Sequence, residues 1–346
     1  MLASPTPACG PLGLPADRGS TAVAATHGTT CAIQANYSLT CWGKNARAFT
    51  AALGGTSLTL AAAGGDSFVC ALRTDASVTC TGTTTYNGLP LPLTPSAGVN
   101  ARSLTASANH LCVLLLSGRG ACVGLNRHGQ VAGAALLARL AATDNAEVAA
   151  GGVHTCVRTT RGAVSCYGDT SDGRGAVPAG VTFASLSAGY HHSCGIACNG
   201  TLFCWGANTY SQVRPFPDFG GASVAAVAAG GWHTLVLLRG GAVLCFGRSQ
   251  WAQCSVPAAA QSGVAAISAG FQHSCCVFAN GTSMCWGQSV SGEVTGQPAS
   301  LTRVPPALLP PLTPPLGSSP TRTPTSMRTL SPTQTRTATR TRKPKR

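Results

Sequence analysis

The sequence predicts an all-β fold of seven small repeated sheets, and three observations carry that expectation. Cysteines recur ten residues apart in six places: Cys31/Cys41, Cys70/Cys80, Cys112/Cys122, Cys156/Cys166, Cys194/Cys204 and Cys275/Cys285. A seventh copy keeps the frame, with Leu235 in the first position and Cys245 in the second. Neighbouring copies start 38 to 44 residues apart, a period that marks one supersecondary unit, copied. Composition agrees. Only 9% of the 346 residues are charged and 42 are glycine, which suits short strands and tight turns better than long helices.

We number each repeat from its first cysteine position as 0. Position −5 is Gly65, Gly151, Gly189, Gly230 or Gly270, with Thr26 and Ser107 in the other two copies. Position −2 is His110, His154, His192, His233 or His273 in five copies. A short apolar strand precedes each, such as EVAAG ending at Gly151 or AISAG ending at Gly270. Position 6 is glycine in five copies: Gly118, Gly162, Gly200, Gly241 and Gly281. Position 12 is glycine in all seven: Gly43, Gly82, Gly124, Gly168, Gly206, Gly247 and Gly287. An aromatic stands before it in five copies, Trp42, Tyr167, Trp205, Phe246 and Trp286.

Positions 0 to 11 read as a β-hairpin whose tip carries Asn199-Gly200, Asn280-Gly281 or Gly240-Gly241. A two-residue loop at positions 5 and 6 would set the cysteines one step out of line. A three-residue loop at positions 4 to 6, a type I turn with glycine in the bulge, pairs positions that sum to ten and sets the cysteines opposite each other. Opposed Cα atoms in a non-hydrogen-bonded pair lie about 4.5 Å apart, at the short end of what a disulfide bridges. Each unit then supplies three or four antiparallel strands and cannot bury its own faces. Seven units stacked around an axis can, which makes a seven-bladed β-propeller the expected architecture. Ring closure is expected to combine strands from near residues 20–30 with others after Gly287. The longest charge-free apolar stretch, Ala222 to Leu238, falls on repeat strands and is not read as a membrane span.

The pattern Gly-x-x-His-(Thr/Ser)-Cys, a hairpin, then Cys-(Trp/Tyr)-Gly resembles the regulator of chromosome condensation repeat. Its clearest copies are GGVHTCVRTTRGAVSCYG from Gly151, GYHHSCGIACNGTLFCWG from Gly189 and GFQHSCCVFANGTSMCWG from Gly270. The resemblance covers roughly residues 20–304. The paired cysteines look most like the extracellular propellers of Crinkly-type plant receptor kinases, and the beta-lactamase inhibitor protein type II shares the propeller class. The chain departs from the nuclear member in its cysteine pairs and in having only nine acidic residues. No kinase domain or membrane helix follows the repeats.

The cysteines are read as disulfides in preference to buried thiols or a metal site, because structural zinc takes C-x2-4-C spacing and here turn residues fill a nine-residue gap. Disulfides imply an oxidising compartment. Cys9, Cys198, Cys245, Cys254 and Cys276 fall outside the six pairs, and Cys245–Cys254 is a candidate replacement in the sixth blade. An odd total of 17 leaves at least one cysteine free or intermolecular. The five histidines should form one equivalent position per blade, hydrogen-bonded to a neighbouring blade's backbone and not gathered on a metal. The aromatics at position 11 are expected to pack between blades. Asn36, Asn199 and Asn280 fit the N-glycosylation pattern and fall at hairpin tips. Catalytic motifs are absent, and the acid pairs Asp169/Asp172 and Asp144/Glu147 read as solvated loop charges. No enzyme activity, cofactor or metal is expected.

Three segments follow: an N-terminal extension, 1–19; the repeats, 20–304; and a tail, 305–346, rich in Pro, Thr, Ser and Arg. The tail holds eight of the 23 Lys and Arg and ends RTRKPKR, leaving the propeller at about +6. It reads as a glycosylated stalk, a nucleic-acid-binding or nuclear-localisation tail, or an inert solvated tail. The expected function is a non-enzymatic binding propeller, extracellular or at the cell surface, with a protein or carbohydrate ligand on its loops and nucleic acid only through the basic tail. No signal peptide is visible, so a truncated start is expected. The alternatives are a nuclear or cytoplasmic guanine-nucleotide exchange factor or chromatin-binding relative, and an ectodomain fragment of a receptor-like kinase.

Overall fold

A computed structural model describes residues 23–34, 37–53, 57–64, 68–82, 100–213, 219 and 223–296. The expectations for Cys9, Asn36, Gly65, the N-terminal extension and the basic tail lie outside those residues. The described strands form seven three-stranded antiparallel sheets, each in chain order. Blade one is Val23–Ala25, Thr29–Ile33 and Leu39–Gly43. Blade two is Leu58–Gly64, Phe68–Arg73 and Val78–Gly82. Blade three is Ala101–Ala106, His110–Leu115 and Gly120–Gly124. Blade four is Asn145–Ala150, His154–Thr159 and Val164–Gly168. Blade five is Phe183–Ala188, His192–Ala197 and Leu202–Gly206. Blade six is Val224–Ala229, His233–Leu238 and Val243–Gly247. Blade seven is Val264–Ala269, His273–Phe278 and Ser283–Gly287. Within the apolar stretch, Val224–Ala229 and His233–Leu238 are repeat strands, as the sequence predicts.

The hairpin register follows the three-residue loop in every blade that carries the pair. Cys31 faces Cys41, Cys70 faces Cys80 and Cys112 faces Cys122 in blades one to three. Cys156 faces Cys166, Cys194 faces Cys204 and Cys275 faces Cys285 in blades four, five and seven. Thr159 N–H donates to Ala163 O at 2.9 Å and Gly162 N–H donates back to Thr159 O at 2.9 Å, closing the turn. Gly162 takes φ +83°, the left-handed conformation that this bulge needs. The two copies without glycine adopt it anyway: Tyr37 has φ +63° and Ala76 has φ +65°.

Middle strands are buried along their length because both their faces meet neighbouring blades. One interblade cluster joins Ile196, Leu202 and Val213 to Val224, Val236 and Phe246. Two short helices, α1 (Ala46–Leu53) and α2 (Ala134–Ala141), occupy return segments for which no helix was expected; they bury Phe49 and Leu53, and Leu136 and Leu140, beside their blades. Closure differs from the expectation. Blade one draws all three described strands from the N-terminal side, and no described strand follows Gly287. Blades seven and one meet by packing and hydrogen bonds: Phe271 N–H donates to Thr26 O at 2.7 Å, and Ala25 N–H to Ser268 Oγ at 2.9 Å.

Candidate functional site: an aromatic face around the propeller axis

Each blade has two ends. Hairpin tips, positions 4 to 6, lie at one end, and positions −5 to −2 and 12 to 18 lie at the other. This second face is built by repeated hydrogen bonds. Gly152 N–H donates to Gly189 O, Tyr190 N–H to Gly230 O and Gly231 N–H to Gly270 O, each at 3.1 Å, forming a collar between blades four and seven. The expected backbone partners of the histidines are replaced by side chains. Nε2 of His110, His154, His192, His233 and His273 meets the hydroxyl of Thr155, Ser193, Thr234, Ser274 and Thr30, at 2.7 to 3.0 Å, always in the next blade. Thr155, Thr234 and Ser274 donate their own hydroxyl protons to the carbonyls of Gln130, Gln212 and Gln253. Nε2 must therefore be the protonated nitrogen in those pairs. The glycine at position −5 makes room for the ring: a Cβ on Gly230 would sit 2.5 Å from Cε1 of His233. Burial drives all five imidazoles down to about 3 or 4. No group of His, Cys, Asp or Glu among the described residues is arranged to hold a metal.

Position 18 was missed from sequence because its residue type changes: Gln130, Arg174, Gln212, Gln253 and Glu293. All five are buried. The side chains of Gln130, Gln212, Gln253 and Glu293 accept the backbone N–H of position 16, which folds the exit loop and turns Tyr210 and Trp251 outward, 40% and 42% exposed. The carbonyls of Arg174, Gln253 and Glu293 accept the indole N–H of Trp205, Trp286 and Trp42 of the next blade. The position-11 aromatics are thus packing groups, as expected. Constant spacing from the cysteines was the available signal.

Of the acid pairs, Asp172 and Asp144 are exposed loop charges as expected, each with an arginine partner, whereas Asp169 and Glu147 are half-buried. Asp169 and Asp172 clamp the buried Arg174 at 2.8 and 2.7 Å. Glu147 lies on a strand, bonded to Arg158 and to Leu186 N–H, while Asp144 pairs with Arg139.

On this face six aromatic rings follow one another: Tyr210, Trp232, His191, Tyr190, Phe271 and His27. Successive centroids lie 5.4, 3.8, 4.7, 5.2 and 4.4 Å apart. Arg248 covers the outer end, 5.1 Å from the Tyr210 centroid. The inner end lines an axial cavity of about 80 Å³ with Ala and Gly of the other blades. Two glycines seat the rings. A Cβ on Gly152 would lie 2.7 Å from Tyr190 Cγ, and one on Gly231 would lie 2.8 Å from Phe271 Cδ2. Burial, and then the charge of Arg174, push His191 down to about 4, so His191 is uncharged at neutral pH.

Seven disulfides join described residues. Six are the repeat pairs, Cys31–Cys41, Cys70–Cys80, Cys112–Cys122, Cys156–Cys166, Cys194–Cys204 and Cys275–Cys285, each at a Cα separation of 4.0 Å. The seventh is Cys245–Cys254 at 5.1 Å. The two members of a pair differ in exposure. The first cysteine is buried in all six, on the middle strand, whereas Cys41, Cys80, Cys122 and Cys166 are only half-buried on the outer strand. Each bond therefore ties the blade's interior to its rim. Cys198 is also disulfide-bonded. Cys276 is a free, buried thiol, pushed up to about 12 by burial. Asn199 and Asn280 stand at exposed tips of the opposite face, where each side-chain oxygen accepts the N–H of the threonine two residues on, at 3.0 Å.

These features define a disulfide-stapled seven-bladed β-propeller, and the model of the regulator of chromosome condensation (RCC1) repeat matches residues 183–212, 224–250 and 264–293. The chain is similar to the ectodomain of the Physcomitrella patens receptor kinase CR4: 26% identity and a TM-score of 0.62 over 79% of this chain and 73% of that one. The CRINKLY WD40 ectodomain of the Arabidopsis thaliana receptor kinase ACR4 matches at 21% identity and TM-score 0.61, over 81% of this chain and 98% of that one. Yeast RCC1 (Prp20), solved bound to Kap60, matches at 16% identity and TM-score 0.53, over 72% and 75%. The last two likenesses show the fold alone. No helix among the described residues is long and apolar enough to cross a membrane.

Proposed function

We propose that this chain is a non-enzymatic binding module of the cell surface or extracellular space and that the aromatic face is its contact surface. The uninterrupted row of six rings on one face carries this reading, because aromatic side chains dominate contact energetics, and here Tyr210 and His27 are exposed at its two ends with the four rings between them only partly buried. Disulfides in every blade favour the oxidising location. Glycans on Asn199 and Asn280 would occupy the hairpin tips and leave the aromatic face uncovered.

The test is binding of the secreted full chain to intact cells. Loss in a Tyr210→Ala/Trp232→Ala/Trp251→Ala variant, with retention when both tip asparagines are replaced by Gln, is expected. Retention by the triple variant would overturn the face assignment. Acceleration of nucleotide release from a small GTPase at sub-stoichiometric chain would overturn the non-enzymatic reading.

A further inference from the structure

We propose that the hairpin-tip face docks the chain's own N-terminal segment, held to blade five by a disulfide between Cys9 and Cys198. Cysteine arithmetic carries the pairing. Seven disulfides take 14 of the 17 cysteines. Cys276 is a free thiol, and Cys198 is disulfide-bonded. Cys9 is the one cysteine left to be its partner. The repeat does not call for a cysteine at that place. Cys198 stands at position 4, where the other blades carry Ala35, Thr74, Leu116, Thr160, Arg239 and Ala279. Its link is therefore an addition to the copied staple. It runs from ahead of blade one to blade five, whereas a repeat pair spans ten residues of one blade.

The topology brings both ends of this link to one face. In blades two to seven the position-4 N–H donates to a carbonyl of the segment that enters the inner strand. Thr74 donates to Ser57, Leu116 to Asn100, Thr160 to Asp144, Cys198 to Thr182, Arg239 to Ser223 and Ala279 to Gly263, at 2.8 to 2.9 Å. Each of these inner strands is thus entered from the tip end, by chain arriving from the preceding blade. Blade one has the same antiparallel sense, Val23 pairing with Ala32 and Ala25 with Thr30. Its entering chain is the N-terminal segment, so that segment reaches blade one from the face that carries Cys198. The reach suffices. At about 3.3 Å per residue, the 14 steps from Cys9 to Val23 span about 46 Å. A compact body of roughly 280 residues has a radius of gyration of about 19 Å. The attachment point is also fixed in advance. Cys198 is half-buried, its N–H is held by Thr182, and Gly200 N–H closes the turn on Ala197 O at 2.8 Å. Residues 1–16 carry no charged side chain and include Leu2, Leu12 and Leu14, a composition that gains from lying against protein. The aromatic face stays open, whichever ligand it takes.

Peptide mapping of the full chain, alkylated, denatured and digested without reductant, tests the bond. Trypsin cuts after Arg18, and peptide 1–18 should be released only on reduction, from the peptide that holds Cys198. Recovery of 1–18 with Cys9 already alkylated overturns the proposal. So does its linkage to any cysteine but Cys198, or a disulfide-linked dimer of the chain on a non-reducing gel. Cys9→Ser and Cys198→Ser should each raise the number of reactive thiols by one and lower the melting temperature. The double variant should melt with the single ones, because all three lack the same bond. A double variant that melts lower by the sum of the two single losses would show two cysteines acting separately and overturn the link. Hydrogen exchange tests the docking. Folded Cys9→Ser should exchange its amides faster at the hairpin tips and at an unchanged rate on the aromatic face. Unchanged exchange at the tips overturns the docking even where the bond is found.

Discussion

Blades five and six are neighbours on one plan, yet only blade five keeps its cross-strand disulfide. Cys194 and Cys204 face each other there, whereas in blade six Leu235 faces Cys245 in the same register. Both first positions are fully buried. Leu235 packs with Val264, Ile267 and Trp286 of blade seven, so apolar contact replaces the covalent link. Cys245 instead joins Cys254, next to Gln253, whose carbonyl accepts both Ser274 Oγ and Trp286 Nε1. The staple has moved from inside the blade to the loop that latches the next one. The repeat requires a buried, well-filled position there; a disulfide is one way of meeting that requirement.

What the two blades share should give the largest effect. His192 and His233, with His110, His154 and His273, are held neutral well below their ordinary 6.5. Between those limits the unfolded chain binds more protons than the folded one. Stability is therefore full above about pH 6.5 and falls as pH drops toward 4, by about 1.4 kcal/mol per pH unit for each histidine. Denaturant unfolding between pH 7 and 4.5 should show this slope. His192→Gln and His233→Gln should each reduce it by one proton, equally in the two blades.

Breaking the difference comes next. Leu235→Ala should cost about 3 kcal/mol through the cavity it leaves. Removing the Cys194–Cys204 link with a double alanine variant should cost roughly 2–3 kcal/mol. Midpoints in denaturant compare the two. A much smaller loss for Leu235 would mean that the Cys245–Cys254 link already holds the blade. A milder change, Leu235→Cys with Cys254→Ser, should restore the repeat pairing. Peptide mapping should find the introduced thiol bridged to Cys245 in that variant, with stability within about 1 kcal/mol of the original because the two loops are of similar length.

The smallest effects lie at the hairpin tips. Gly200→Ala should cost about 1 kcal/mol, since φ is +87° and a Cβ there meets nothing within 4 Å. Gly241→Ala should cost more, because its Cβ would lie 2.8 Å from Gly263 N. In blade two, where Ala76 holds the same conformation, Ala76→Gly should stabilise by about 1 kcal/mol.

Blade count, hairpin register and the covalent pairs were legible because each depends on spacings inside one repeat. Cys245–Cys254 was legible for the same reason. What depends on the angle between blades was not. The histidine position could be seen, but its partner, a hydroxyl at position −1 of the next blade, could not. Position 18 escaped because a carbonyl does most of its work, and a carbonyl leaves little mark on residue type. The aromatic row was hidden most deeply. Its members sit at positions −4, −3 and 16 in only some blades, and they meet because glycine occupies the intervening site.

A thiol titration of the denatured, unreduced full chain tests the central claim, a propeller stapled in an oxidising compartment, most directly. One reactive thiol, Cys276, is expected from 17 cysteines, because Cys198 is bonded in addition to the seven pairs. Twelve or more would mean that the repeat pairs are reduced and would contradict the claim.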